Sequence, residues 1–317
     1  MAELRRFMRI AALAAVLVLT AADCGTATPA SPPPAAAPAP ISVYTLAEPL
    51  HRTPFAIDWD AASGSFFVGS YDDGTIYRGH LDDPNVPVFL LGQPGQTAAG
   101  VRIAGGRLYV AGGIYGDIRV YDLATHALVG RFETGPGGEV GNLVVTGAGD
   151  VWVFDAVRPV LWHLTPELLA AGSGTPTALS LAPEIPFRPG CANVGGIALM
   201  TDQRLLVDNP NDGTLYRIDL DPHAPNGRTI TPISGASVRQ GESMLLDGHR
   251  LVVADFHGLS IINLSDDAQH ATAATPIRDP AFHETFSAAR VADHYLTVSS
   301  ATEDGRPPYT VLSVPAP

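Results

Sequence analysis

Six returns of one short apolar strand, one ten-residue stretch written almost twice, and a chain dense in turn formers predict an all-β fold: a six-bladed β-propeller of four-stranded blades. The returning strand reads SFFVGS (65 to 70), RLYVAG (107 to 112), DVWVFD (150 to 155), RLLVDN (204 to 209), RLVVAD (250 to 255) and YLTVSS (295 to 300), with steps of 42, 43, 54, 46 and 45 residues between the shared valines. The doubled stretch is DDGTIYRGHL at 72 to 81 and NDGTLYRIDL at 211 to 220. Gly and Pro together number 60 of 317 residues, which favours many tight turns over long helices.

In chain order, the first element expected is a targeting segment over residues 1 to 23. Arg5, Arg6 and Arg9 precede an apolar run from Ile10 to Leu19 that is short for a membrane span, so the pattern reads as a signal peptide and export from the cytoplasm. Residues 24 to 40 form a Pro/Ala-rich tether that has too little apolar surface to pack a core. Cys24 heads this tether and resembles the lipidated cysteine of bacterial lipoprotein precursors, although Asp23 stands where those precursors usually have Gly or Ala. Lipid anchoring through Cys24 and plain secretion both stay open. With Cys24 so used, the second cysteine, Cys191, is expected to be a buried, inert thiol.

The propeller is expected over 41 to 317. Each apolar strand is preceded by a β-rich inner strand (FAIDW, GVRIA, NLVVT, GIALM, SMLLD and AARVA) and followed by a third (TIYRGHL, DIRVYDL, VLWHL, TLYRIDL, LSIINL and YTVLSV). A fourth segment closes five units: VPVFLLG, ALVGRFE, TALSLAP, RTITPIS and ATPIRD. The sixth unit runs out after YTVLSV, while ISVYTLAE at 41 to 48 belongs to no unit, so the N-terminal strand is expected to complete the last blade. A duplicated pair of domains would equate 72 with 211 but leave the intermediate strands unexplained. An α/β fold would need helices, and TPELLAA (165 to 171) is the one helical stretch.

Charge and composition exclude some functions. A net charge of -13 argues against nucleic acid and anionic membrane surfaces as partners. All 19 basic residues are Arg, which removes lysine nucleophiles and Schiff bases. GPGGEVG (135 to 141) opens no helix, so no nucleotide cofactor is expected.

Residues just ahead of the inner strands should line one mouth of the funnel. Alignment places Thr53, Thr97, Glu139, Asn193, Gln240 and Thr285 there, and they read either as caps of loop amides or as ligands. In the second case Glu139, Asn193, Gln240 and Glu242 supply the oxygen donors that suit Ca2+ or another divalent cation. Two residues past each shared valine come Ser70, Gly112, Asp155, Asn209, Asp255 and Ser300. Asp255 and nearby His257 are candidate catalytic groups, and Asp155 is a further carboxylate of that kind. Because the shared residues are those the fold needs, any site is expected where the repeats differ.

The stretches TPFAIDWDAASGSFFVGSYDDGTIYR and GGIALMTDQRLLVDNPNDGTLYRIDL are similar to blades of the gluconolactonase/regucalcin-like (senescence marker protein) and NHL-repeat-like propellers. In the lactonase branch the resemblance implies a divalent cation in the channel that polarises a lactone carbonyl and activates water for hydrolysis. Its ligands there are a first-blade Glu, Asn side chains and a later Asp. Asn193 lies two positions from the aligned asparagine, and Glu242 takes the later Asp position. The first-blade Glu is replaced by His51, Arg52 and Thr53, and Glu139 is our substitute from blade 3. Two functions are therefore expected in competition: a metal-dependent hydrolase of lactones or related esters, and a non-catalytic extracytoplasmic monomer binding a small molecule, glycan or protein at the funnel mouth.

Overall fold

The computed structural model describes residues 42 to 47, 53 to 282, 284 to 299 and 308 to 317. The expected signal segment, the tether with Cys24, and His51, Arg52 and Ser300 lie outside them. Among the described residues six sheets form, each with four antiparallel strands in the order predicted for a blade, and two of them add a short fifth strand in parallel. The inner strands are Pro54–Asp60, Gly100–Ala104, Val140–Val145, Ile197–Thr201, Gly241–Asp247 and Thr285–Val291. Each packs beside its neighbours, and the sixth packs against the first, closing the ring as a six-bladed propeller.

Strand alternation explains why the second strand of each blade is apolar at nearly every position. Successive side chains point to opposite faces, and each blade is covered on both. In blade 1, Phe66 and Val68 pack toward blade 6, while Phe67 packs toward blade 2. In blade 3, Val151 and Val153 meet blade 2, while Trp152 and Phe154 meet blade 4. Among the described residues six apolar clusters result, one at each junction between blades. The repeat is legible in the sequence because every blade faces this two-sided burial.

The doubled stretch is a turn. Asp73 Oδ1 accepts the N–H of Thr75 at 3.0 Å, and Asp212 Oδ1 accepts that of Thr214 at 2.9 Å. Gly74 and Gly213 take φ of 75° and 83°, a region open to glycine and strained for residues bearing a Cβ. One turn chemistry thus serves blades 1 and 4, and neither copy is a site.

Ring closure is as expected. Val43–Leu46 pairs antiparallel with Thr310–Pro315 and becomes the outer strand of blade 6. It also pairs in parallel with Asn85–Val86, on the connection leading to the last strand of blade 1, so it is laced to both blades it joins. The predicted helix forms over Pro166–Ala171, with Thr165 accepting the N–H of Leu168 and Gly172 ending it at φ 73°. Among the described residues no helix is long and apolar enough to cross a membrane.

Three expectations change. The fourth strand of blade 5 is Ala271–Ala273, just before ATPIRD; only Ile277 of that segment bridges, to Leu259. Pro276 lacks an amide hydrogen, so the run has one ladder donor fewer. Thr285 is itself the first residue of its inner strand, whereas Thr53 and Gln240 lie one residue ahead of Pro54 and Gly241, so the three do not stand at one position. Cys191 is exposed, on the loop before blade 4.

Candidate functional site at the funnel mouth

The first residues of four inner strands build the mouth by breaking register. Pairing skips Phe55 in blade 1, Glu242 in blade 5 and Phe286 in blade 6, and it skips Gly141 and Asn142 in blade 3. A bulge re-aims the skipped side chain away from the regular pleat. Phe55, Gly141, Asn142 and Glu242 accordingly line a cavity of about 260 Å³ at the axis of the ring.

The cavity lining combines aromatic and acidic side chains. Phe55 stacks on Phe286 with centroids 4.8 Å apart and meets the Tyr71 ring at 5.0 Å; Phe256 meets Phe286 edge-on at 6.4 Å. Phe154 and Phe256 also line it. Glu139 and Glu242 line the same cavity, with Gln240, Asn211 and Asn142, and Glu139 is joined to the aromatic Tyr71 by a hydrogen bond. Gln240 reaches the wall from a left-handed φ of 59°, a conformation an L-residue holds only when its surroundings impose it.

The acidic lining is electrostatically loaded. Burial, followed by the charges of Asp208, Glu139 and Glu284, pushes the Glu242 carboxyl up to about 7. Asp208 is fully buried in blade 4, and burial raises it to about 6. Its Oδ1 accepts the N–H groups of Gly195 and Gly196 at 3.3 and 2.7 Å, while Oδ2 has no hydrogen-bond partner. That free oxygen lies beneath the cavity floor: a Cβ added to Gly241 would stand 2.1 Å from it, and one on Gly195 3.2 Å. Tyr71 donates its hydroxyl to Glu139 Oε1 at 2.9 Å, and burial with that carboxylate holds the phenol protonated well above its ordinary range.

This arrangement sets a pH dependence of stability. A carboxyl whose folded pKa is raised loses its proton first in the unfolded chain. The folded state then binds more protons between about 4.5 and about 7, and stability falls as pH rises through that window. Glu242→Gln removes the burdened charge. It is expected to raise the unfolding free energy by about 2 kcal/mol at pH 8, with the gain fading toward pH 4, as measured by urea denaturation across pH. An equal gain at both pH values would show that the carboxyl is not strained by its surroundings.

Of the residues singled out from sequence, Glu139, Gln240 and Glu242 meet in the cavity and Asn193 does not. Asn193 is buried, its Oδ1 accepting the N–H of Arg188 at 2.6 Å and its Nδ2 donating to the carbonyls of Arg188 and Cys191. It staples the loop and has little lone-pair capacity left for a cation. Asp255 is buried beside the N–H of His257, the hydroxyl of Ser260 and the guanidinium of Arg278; His257 is exposed, and neither lines the cavity. Asp155 likewise holds its own turn. Thr53, half-buried, gives its N–H to Asp72, and Thr97 and Thr285 are buried in the frame.

Tyr71, Asp208 and the aromatic wall were not found from sequence. Asp208 had a signal: one residue past the shared valine the blades read Gly69, Ala111, Phe154, Asp208, Ala254 and Ser299, and a single carboxylate interrupts that series.

The donors are all hard oxygens, which suits Ca2+ or Mg2+. Among the described residues, however, no three His, Cys, Asp or Glu side chains converge closely enough to hold a metal ion. Glu139 and Glu242 supply two carboxylates at the surface of the cavity, and the third, Asp208, lies behind the glycine floor.

No protein-family model matches the sequence, and no curated protein matches it either. Solved structures share its fold. The major allergen Mala s 1 of Malassezia sympodialis is 15% identical over 83% of this chain and 93% of that one, with a TM-score of 0.63. Virginiamycin B lyase from Staphylococcus aureus is 14% identical over 86% and 87%, with a TM-score of 0.60. A protein from Lactobacillus plantarum is 14% identical over 82% and 88%, with a TM-score of 0.54. At these identities the likeness is one of fold, and the site must be read from its own residues.

Proposed function

We propose that this propeller is a small-molecule-binding protein whose ligand enters the funnel mouth and lies against its aromatic and acidic lining. The observation that carries this reading is the cavity itself, about 260 Å³, lined by bulge residues that the blades do not need for pairing. A mostly apolar hollow with a few convergent polar groups is the usual form of a ligand site, and this one lies just under the roughly 300–1,000 Å³ typical of such pockets. If residues 1 to 23 direct export as expected, the ligand is met outside the cytoplasm.

Ala192 lines the cavity and is exposed, so Ala192→Trp can fill the mouth without disturbing a core. A calorimetric screen of the full chain against neutral, anionic and cationic small molecules is expected to give ligands whose binding disappears in Ala192→Trp while the melting temperature holds. A screen without such ligands, or ligands indifferent to the tryptophan, would overturn the assignment.

The hydrolase reading keeps one support: Glu139, Gln240 and Glu242 are oxygen donors at one cavity, where a bound divalent cation would polarise a carbonyl. It ranks second because the donors do not converge. It predicts lactone or ester turnover that depends on a divalent cation and is lost in Glu242→Gln; absence of turnover with Ca2+, Mg2+ and Mn2+ removes it.

A further inference from the structure

We propose that the ligand of the funnel mouth is a monovalent organic cation, a primary or substituted ammonium carried on an aromatic or short aliphatic body. This rests on the small-molecule reading above and narrows it to one chemical class. Three features of the site point the same way.

The first is charge. Glu139 and Glu242 line the cavity, and none of the described lining residues is Arg or His, while the chain has no Lys at all. Two guanidinium groups near the mouth are engaged elsewhere: Arg158 with Asp155 and Thr134, stacked over Trp162, and the exposed Arg239 with the carbonyl of Asn211. An anionic ligand would meet two carboxylates with no counter-charge. The chain as a whole, at -13, also draws cations toward the funnel.

The second is Asp208. Its Oδ2 is buried, has no partner and lies against Gly195 and Gly241, the floor beneath the two glutamates. A buried carboxylate oxygen left without a donor is costly. A cation above the floor would stabilise Asp208 and both glutamates together, and a neutral ligand would not.

The third is the aromatic wall. The π-faces of aromatic side chains such as Phe55, Phe256 and Tyr71, which line the cavity, attract an ammonium or its polarised methylene groups, worth about 0.5–2 kcal/mol in a partly desolvated site. A divalent ion asks instead for six or more oxygens in a close shell, and among the described residues no three acidic, His or Cys side chains converge to begin one. Ile114 and Tyr115 in blade 2 and Val157 in blade 3 are exposed on the second-to-third-strand connections, which correspond to those carrying Tyr71 in blade 1 and Phe256 in blade 5, so the body of the ligand has apolar surface to cover.

The groups facing Glu242 are Asp208 from blade 4, Glu139 with Tyr71 from blades 3 and 1, and Glu284 at the start of blade 6. All the charged ones are acidic, so cation binding and deprotonation of Glu242 favour one another. Affinity therefore rises with pH.

The test is isothermal titration of the full chain with four probes: benzylammonium, benzyl alcohol, benzoate and Ca2+. Benzylammonium is expected to bind at least about tenfold tighter than benzyl alcohol, a difference of about 1.4 kcal/mol. Benzoate is expected not to bind. Between pH 5.5 and 8 the ammonium affinity rises in the wild type, while in Glu242→Gln it is about tenfold weaker or more and rises less, through Asp208 alone. Because Glu242→Gln relieves a strained charge, loss of folding does not confuse the result. Benzyl alcohol or benzoate binding as tightly as the ammonium, and lost in Ala192→Trp, would overturn the cation assignment while leaving the binding site in place. Ca2+ binding alone, sensitive to Glu242→Gln, would overturn it in favour of a metal. Failure of all four probes overturns it too, and the broader screen against Ala192→Trp then decides separately whether the funnel binds any small molecule.

Discussion

A chain lacking Val43–Leu46 is expected to lose most of its stability, because among the described residues that strand is the one hydrogen-bonded to both end blades of the ring. It pairs with Thr310–Pro315 through Val43, Tyr44 and Thr45, and with Asn85–Val86 through Thr45 and Leu46. Tyr44 and Leu46 are buried in the cluster between blades 1 and 6. The Tyr44 ring meets Phe66 edge-on at 4.9 Å and its hydroxyl donates to the Leu81 carbonyl at 3.2 Å. Burial of the two side chains is worth about 2 kcal/mol each, and removing the strand also leaves Thr310–Pro315 as a bare sheet edge open to aggregation. The single change Tyr44→Ala is expected to cost about 3–5 kcal/mol through the lost contacts and the cavity left behind. Guanidinium denaturation followed by circular dichroism measures both. A Tyr44→Ala midpoint equal to that of the wild type would mean that the ring is closed by other contacts.

Asp155→Ala is the second large effect, and it links the frame to the site. Asp155 is fully buried. Its Oδ1 accepts the N–H groups of Glu139, Val157 and Arg158 at 3.1, 3.2 and 2.9 Å, and its Oδ2 accepts Arg158 Nε at 2.7 Å and Trp162 Nε1 at 3.1 Å. Alanine leaves those donors unpaired and deprives the guanidinium, stacked 4.8 Å over Trp162, of its counter-charge. Breaking one side of a buried pair of this kind costs about 3–5 kcal/mol. The loss also frees the backbone of Glu139, so any ligand of the funnel mouth should bind more weakly as well. Asp155→Asn keeps the acceptor for the amides and should recover part of the stability. A change below about 1 kcal/mol for the alanine variant would sink the argument that Asp155 is a structural anchor.

Comparison of these two residues with Asp208 shows what was legible beforehand. Asp155 and Asp255 stand at the same repeat position, two past the shared valine, and both turned out to serve their own turns. Their repetition was the sign of a structural task. Asp208 stands one residue earlier, where no other blade has a charge, and it lies under the floor of the site. Strand alternation sends those two positions to opposite faces, so a one-residue difference in place decides between frame and funnel. Glu242 is legible because it stands two residues past Gln240 at the later Asp position of the resemblance, and Glu139 and Gln240 because they precede inner strands. Asn193 was included on the same ground, yet its amide was taken by its own loop.

By itself the sequence determined the number of blades, the order of strands within each, the turn chemistry of Asp73-Gly74 and Asp212-Gly213, and the use of the N-terminal strand to close the ring. These are set by local periodicity and by residues that only certain turns accept, repeated often enough to be read without knowing what packs on what. Tertiary structure alone decided which polar and aromatic side chains share one cavity. The bulges at Phe55 and Glu242 are mismatches between paired strands, and the pKa of Glu242 is set by burial and by acids on blades 3, 4 and 6, up to 103 residues away at Glu139. Such convergence is a property of the closed ring, since residues far apart in the chain meet at its axis only when all six blades are in place.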